Sequence, residues 1–138
     1  MKEEQNMRTI LIVDDDPDLR EGLRALLEIK DFNVKEAISG AECLEIMASA
    51  DKPDLIILDI MMETKHAGFE VAYQLYKDPE LRKIPIILLS NLPRLTDYEI
   101  NPEIEERYLP VARFLTKPVN PELLYQEISR LLGTGSGQ

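Results

Sequence analysis

The stretch ILIVDDDPDLR, residues 10–20, contains a strand signal, a group of acids and a helix start within eleven residues. The aliphatic, largely β-branched run from Thr9 to Val13 predicts a strand that is buried on both faces. Three aspartates follow it directly. Asp16 can cap a helix whose first residue is Pro17, where the missing N–H costs nothing. The stretch therefore predicts a buried strand, an acidic turn and a helix.

The same alternation continues along the chain. Further strands are predicted at Phe32 to Ile38, Leu55 to Leu58, Ile84 to Leu89 and Val111 to Leu115. Apolar residues at helical spacing predict helices after Asp16, after Ser39, through Phe69 to Tyr76 and from Asn120 onward. Five strands alternating with helices, several of them apolar on both faces, predict an α/β domain: a doubly wound, five-stranded parallel sheet with helices on both faces.

Charge and hydropathy exclude several functions. The formal net charge of the 138 residues is -10, which argues against a nucleic-acid binder and against docking on anionic lipid. No apolar run approaches the length of a membrane span, and the start has no signal-peptide core. We therefore expect a cytoplasmic protein with no nucleic-acid or membrane partner. Residues 1–7 and 133–138, the latter reading GTGSGQ, are predicted to be flexible termini flanking a domain at 8–132.

Cys43 is the single cysteine of the chain. It has no partner for a disulfide and no companion for a metal site. Because it lies on the apolar stripe of a predicted helix, we interpret it as a small core residue and not as a redox thiol.

Polar residues follow four of the predicted strands. Open parallel sheets bind ligands beyond the carboxyl ends of their strands, near a topological switch point, so these residues are expected to meet at one edge. They are Asp14, Asp15 and Asp16 after the first strand, Asp59 after the third, Ser90 after the fourth, and Thr116 and Lys117 after the fifth.

This group of side chains suits phosphoryl chemistry on a carboxylate. Crowded carboxylates repel one another unless a cation lies among them, and oxygen ligands with open positions suit Mg²⁺. An aspartate beside bound Mg²⁺ is a competent nucleophile toward phosphorus, while Lys117 and Ser90 can contact phosphoryl oxygens. Each residue alone is more often a cap or a solvated turn. Their combination at successive strand ends predicts an aspartyl-phosphate site.

Four segments, ILIVDDDPDLR, PDLIILDIMM, IPIILLSN and FLTKPV, resemble in order the signature segments of the response regulator receiver family. The resemblance covers Arg8 to Leu132. It implies a flavodoxin-like fold and a phosphorylation switch, not a turnover enzyme. The partners it implies are a sensor histidine kinase or phosphotransfer protein as phosphodonor and an unidentified protein as output.

The resemblance also implies a role for each matching residue. Asp59 matches the phosphorylated aspartate, and Asp14 and Asp15 match the acidic pair that binds Mg²⁺. Met61, two residues beyond the acceptor, matches the position that supplies a backbone carbonyl to the metal.

Three further positions match the switching residues of the family. Ser90 matches the hydroxyl that moves toward the phosphoryl group, Lys117 matches the lysine that contacts it, and Phe114 matches the aromatic whose rotamer reports the state. Asp16 has no metal role in this pattern, which leaves it as a helix cap.

Two segments depart from the family pattern. Most receivers have proline four residues after the acceptor and glycine four residues later, whereas this chain has Glu63 and reaches Gly68 one residue late. His66, in this insertion, is interpreted as a solvated loop residue. The stretch 91–110 is longer than usual, with a short helix predicted from Asn101 to Tyr108; it is either a non-standard output surface or simply a long loop.

Two apolar side chains predict a slow loss of the phosphoryl group. In the family, the side chains two residues beyond the acceptor and two beyond the hydroxyl control the access of water. Here these are Met61 and Leu92, and neither can position a water molecule. We therefore expect a long-lived phosphorylated form.

Two alternatives from other classes remain. A phosphatase of the haloacid dehalogenase type could use Asp14 and Asp16, but it needs an acidic pair after Lys117, where only the glutamates of the last helix occur. A receiver-like binding module that is never phosphorylated is the second alternative. A flavodoxin-like carrier is disfavoured, because its first loop should present hydroxyls and glycines.

Overall fold

A computed structural model describes residues 8–62, 64, 67–91 and 113–133. In that part of the chain the strands are β1 (Thr9–Val13), β2 (Asn33–Ala37), β3 (Leu55–Asp59), β4 (Ile86–Ser90) and β5 (Arg113–Thr116). The helices are α1 (Pro17–Ile29), α2 (Gly40–Ala48), α3 (Ala67–Tyr76) and α4 (Pro121–Leu132), with a 3₁₀ turn at Leu81–Lys83.

The five strands form one parallel sheet in the order β2-β1-β3-β4-β5. The order reverses between β1 and β3, because the chain crosses first to β2 on one side and then back to β3 on the other. This reversal is the topological switch point of a doubly wound sheet, and it lies between β1, which Asp14 follows directly, and β3, which ends at Asp59. The predicted α/β fold is confirmed.

The sheet is covered on both faces, as the apolar strands predict. Ile10 and Ile12 belong to the core layer under α1 and α4, whereas Leu11 and Val13 belong to the layer under α2 and α3. Residues of β3 and β4 alternate in the same way. None of the described helices is long and apolar enough to cross a membrane.

Strand boundaries differ from the prediction by one or two residues. β4 begins at Ile86 instead of Ile84, because the Ile84 N–H donates to the Leu81 carbonyl and closes the 3₁₀ turn. It extends to Ser90, which is aligned with Thr116 of β5. β2 is one residue shorter than predicted at each end.

Several predictions lie partly or wholly outside the described residues. Residues 1–7 and 134–138 fall there, as do 111–112 of the predicted fifth strand and the predicted short helix at 101–108. Glu63, His66 and Leu92 also lie outside the described part of the chain.

Candidate functional site

The register of the sheet brings the predicted site residues to one edge. Val13 is aligned with Leu58, so Asp14 and Asp59 follow at the same level on neighbouring strands. Ser90 ends β4 and is aligned with Thr116 of β5. The Lys117 N–H then donates to the Ser90 carbonyl over 2.8 Å. Four of the five strands thus contribute to this edge.

Three carboxylates form a cluster at the switch point. One oxygen each from Asp14, Asp15 and Asp59 lies within 4.8 Å of the others. Asp14 is 1% exposed and Asp59 is 3% exposed, whereas Asp15 is exposed to solvent. The cluster is therefore buried on one side and open to water on the other.

Asp14 is held by bonds to its backbone and its side chain. Its N–H donates to the Ala37 carbonyl over 3.1 Å. Its Oδ1 accepts from the Asp16 N–H over 2.9 Å, and its Oδ2 lies 3.4 Å from Lys117 Nζ. Asp16 itself caps α1 by accepting from the Asp18 N–H, which confirms the predicted cap. The acidic turn is thus fixed by the start of the helix that follows it.

Asp59 is bonded less completely than Asp14. Its Oδ1 lies 3.2 Å from Lys117 Nζ, which is close enough for an ion pair, but the contact lacks hydrogen-bond geometry. Among the described residues, this oxygen is the one buried side-chain N or O atom with no hydrogen-bond partner. An unsatisfied buried carboxylate oxygen is costly.

The pKa values of Asp59, Asp14 and Lys117 follow from their burial and from the charges around them. Burial, together with the charge of Asp14, raises the pKa of Asp59 to about 6, against the lowering effects of Lys117 and of a hydrogen bond from the Met61 N–H. Burial also raises the pKa of Asp14 above its usual value, despite hydrogen bonds from Asp16 and Lys117. Burial lowers the pKa of Lys117, but attraction by Asp59 and Asp14 outweighs it and the pKa is raised overall. One ammonium therefore does not balance the buried carboxylates.

The cluster fits a hard divalent cation. Its donors are carboxylate oxygens within reach of one another, and one of these oxygens is buried without a hydrogen bond. Such a donor set suits Mg²⁺, which binds through one or two carboxylates and keeps open positions for water and phosphate. A cation placed among these groups would offset both the burial and the mutual repulsion that raise the pKa values of Asp14 and Asp59.

Gly68 packs directly against the end of β3. Its N–H donates to the Ile60 carbonyl over 2.7 Å. A Cβ at this position would lie 2.4 Å from the Asp59 carbonyl oxygen and 2.6 Å from Ile60 Cα. Only glycine allows α3 to begin this close to the end of β3. The late glycine that the sequence showed therefore still packs against the backbone of Asp59.

Four other residues singled out in the sequence are buried or half-buried. Ser90 is fully buried at the end of β4, and Phe114 is half-buried against the core layer under α2 and α3. Met61 is half-buried beside Asp59. Cys43 is buried in the core, where burial raises the pKa of its thiol to about 12, and its predicted core role is confirmed.

One contact to the acidic turn was not predicted. Arg20 Nη1 donates to the Asp14 carbonyl over 2.8 Å. The sequence offered a partial signal, since Arg20 lies at the end of the segment that carries the acids. Its partner on β2, Glu36, is remote in the sequence.

A doubly wound sheet with a carboxylate cluster and a lysine at its switch point defines the receiver class of signalling domain. The sequence model described as the response regulator receiver domain matches residues 10–129. The chain therefore belongs to the response regulator receiver family, whose members act as phosphoacceptor switches in two-component signalling.

Individual relatives agree with this assignment. The chain is 34% identical to protein PilH of Pseudomonas aeruginosa over 126 residues, which cover 91% of this chain and 98% of PilH. It is 34% identical to response regulator PleD of Caulobacter vibrioides over 122 residues, which cover 88% of this chain and 25% of PleD. A crystal structure of the signal receiver domain of a histidine kinase from Syntrophus aciditrophicus matches with a TM-score of 0.78 and 30% identity, over 95% of this chain and 94% of that one.

Proposed function

We propose that Asp59 accepts a phosphoryl group from a sensor histidine kinase or phosphotransfer protein in the cytoplasm, in a reaction that depends on Mg²⁺. The observation that carries the proposal is the buried Asp59 oxygen without a hydrogen bond, beside Lys117 and within reach of two further carboxylates. A buried carboxylate oxygen that has an ion pair but no hydrogen bond is typical of a functional site, because the oxygens of a purely structural buried carboxylate would be hydrogen-bonded.

Asp14, Asp15, Asp59 and the Met61 carbonyl are the proposed ligands of Mg²⁺. The ion, when bound, would neutralise charge on the transferring phosphoryl oxygens. Asp59 attacks phosphorus through a carboxylate oxygen, and the bond to the donor nitrogen breaks as the new bond forms. The acceptor must be ionised for this step. The raised pKa of Asp59 therefore makes cation binding and nucleophile activation parts of one event.

Lys117 and Ser90 are the proposed contacts of the phosphoryl group. The Lys117 ammonium lies between Asp14 and Asp59, at 3.4 and 3.2 Å, and can follow the negative charge when it moves onto the phosphoryl oxygens. Ser90 supplies a hydroxyl from the end of β4. Its movement toward the phosphoryl group, together with that of Phe114, is proposed to change the surface that an output protein binds.

The test is Mg²⁺-dependent labelling of the intact chain with acetyl phosphate. We expect the mass of one phosphoryl group to be added with Mg²⁺ present and not with EDTA. Asp59→Asn should remove labelling, whereas Asp54→Asn, five residues earlier on the opposite edge of the sheet, should leave it unchanged. Equal labelling of wild type and Asp59→Asn would contradict the proposal.

A phosphorylation-independent binding module is the alternative outcome. In that case neither acetyl phosphate nor beryllofluoride with Mg²⁺ would bind at Asp59. Rapid turnover of a small phosphoester would instead support the phosphatase alternative.

A further inference from the structure

A second charged network lies beside the carboxylate cluster and joins α1 to β2. Glu36 on β2 is its centre: Arg20 Nε donates to Oε1 over 2.8 Å and Arg24 Nε donates to Oε2 over 2.6 Å. Arg24 also donates to Glu28 and to the Val34 carbonyl. Hydrogen bonds from Arg24 and Arg20 hold the pKa of Glu36 below its usual value.

Arg20 differs from Arg24 in one contact. Arg20 Nη1 donates to the Asp14 carbonyl over 2.8 Å, and the Arg20 side chain is only 16% exposed. Among the described residues, Arg24 donates to Glu28 on α1 and to Val34 and Glu36 on β2, and to none in the acidic turn. The two arginines thus share a carboxylate, but only Arg20 bonds to a residue of the cluster.

The Asp14 carbonyl belongs to the peptide that joins Asp14 to Asp15. The direction of this carbonyl is set by the ψ angle of Asp14. A change in that ψ which the φ of Asp15 does not compensate turns the two flanking side chains relative to each other, and therefore changes the distance between the two carboxylates. The Asp14 N–H is already held by the carbonyl of Ala37. Through Arg20, the neighbouring Glu36 holds the Asp14 carbonyl as well. Two consecutive residues of β2 thus fix the acidic turn from both sides of Asp14.

We propose that Arg20, oriented by Glu36, is a positioning residue that sets the separation of the Asp14 and Asp15 carboxylates for the cation. The inference rests on the Mg²⁺-dependent site of the proposed function. Partners of this kind, which orient metal ligands without touching the metal, commonly change metal affinity by about 10–100-fold when removed.

The charge of Arg20 and its hydrogen bond to the Asp14 carbonyl have opposite effects on Mg²⁺ affinity. A guanidinium near the cluster repels a cation, so the loss of its charge alone would strengthen Mg²⁺ binding. The loss of its bond to the Asp14 carbonyl would weaken binding, because the carboxylates would no longer be held in place. The sign of the change therefore separates a positioning role from a purely electrostatic one.

The experiment is calorimetric titration of the full chain with Mg²⁺, without a phosphodonor. We expect Arg20→Met to weaken Mg²⁺ binding about tenfold. Arg24→Met removes the same charge and a bond to the same Glu36, and it should leave the affinity unchanged or slightly higher. Arg20→Lys keeps the charge but cannot contact both acceptors in the same way, so it should also bind Mg²⁺ more weakly than wild type.

Urea unfolding in EDTA reports the structural cost of each variant separately. Arg20→Met and Arg24→Met should lose comparable stability, since each breaks an ion pair with Glu36. If both arginine variants bind Mg²⁺ as wild type does, or if Arg24→Met weakens binding as much as Arg20→Met, the positioning role is wrong. If wild type itself binds no Mg²⁺, the proposed function fails instead.

Discussion

Aspartates at the two ends of the sheet lie in contrasting environments. At the amino end, Asp54 precedes β3 and is exposed, and its Oδ2 accepts from the Thr9 N–H over 2.8 Å while its own N–H donates to the Thr9 carbonyl over 2.7 Å. At the carboxyl end, Asp59 is the last residue of the same strand, is buried and has an oxygen without a hydrogen bond. Five residues separate a structural carboxylate from one whose environment opposes its charge.

This contrast shows where buried charge lowers the stability of the fold. The Asp54 carboxylate closes a pair of strands and can be solvated at little cost. Asp59 and Asp14 are buried beside one lysine, which leaves a repulsion that a cation can relieve. We therefore expect substitutions at the carboxyl end to change stability strongly and in a Mg²⁺-dependent way. Matched substitutions elsewhere should change stability little, and their effects should not depend on Mg²⁺.

The largest effect is expected for Lys117→Met. It leaves two buried carboxylates without their cationic partner and should lower the free energy of unfolding by about 4 kcal/mol in EDTA at pH 7. Lys35→Met breaks the ion pair with the exposed Asp51 and should lower the stability far less, because water already screens that pair. Urea unfolding measures both. Equal losses of stability in the two variants would show that the burial of Asp14 and Asp59 does not determine the cost of removing a cationic partner.

Gly68→Ala should have the next largest effect. The new methyl group would meet the Asp59 carbonyl oxygen at 2.4 Å, and the displacement of α3 or β3 should cost about 3 kcal/mol. Gly22→Ala is the control, because nothing lies within 4 Å of its Cβ position on α1; it should stabilise the chain by about 0.5–1 kcal/mol. Gly68→Ala should also weaken Mg²⁺ binding. Wild-type stability in Gly68→Ala would contradict the close packing.

Asp59→Asn should raise the stability of the metal-free chain. Its pKa rises on folding from 3.8 to about 6, so the stabilisation from protonation is complete below 3.8 and is lost as the pH rises through about 6. At pH 7 the asparagine variant should be about 3 kcal/mol more stable than wild type in EDTA, since each pKa unit corresponds to about 1.4 kcal/mol. The difference should shrink as the pH falls toward 4.

Asp54→Asn is the control for that pH series. It keeps an oxygen acceptor for the Thr9 N–H, so it should cost less than about 1 kcal/mol. Added Mg²⁺ should stabilise wild type and Asp54→Asn but not Asp59→Asn. A stability difference between wild type and Asp59→Asn that does not change with pH would mean that Asp59 titrates normally.

The carboxylate cluster could be predicted from the sequence because its geometry follows from the fold. Strand ends of a parallel sheet share one edge, so Asp14 and Asp59 were expected on the same edge once the strands were identified, and the pairing of β1 with β3 makes them neighbours. Both bounds of β4 were harder to predict, since a 3₁₀ turn takes up Ile84 before the strand begins and the register with β5 extends the strand to Ser90.

Contacts between distant segments were not predictable in this way. The bonds from Arg20 to Glu36 and to the Asp14 carbonyl depend on how α1 lies against β2, which no local pattern encodes. The close approach of Gly68 to Asp59 likewise depends on the path of the loop between them. Side-chain types at strand ends indicated the chemistry, whereas the residues that orient them emerged only from packing.

The most direct test of the central claim is to locate the modified residue. Wild type would be treated with acetyl phosphate and Mg²⁺, reduced with borohydride to trap any acyl phosphate, and mapped by peptide mass spectrometry. We expect a single modified residue, Asp59, and none in EDTA. Modification at Asp14 or Asp15, or no modification while Mg²⁺ is bound, would contradict it.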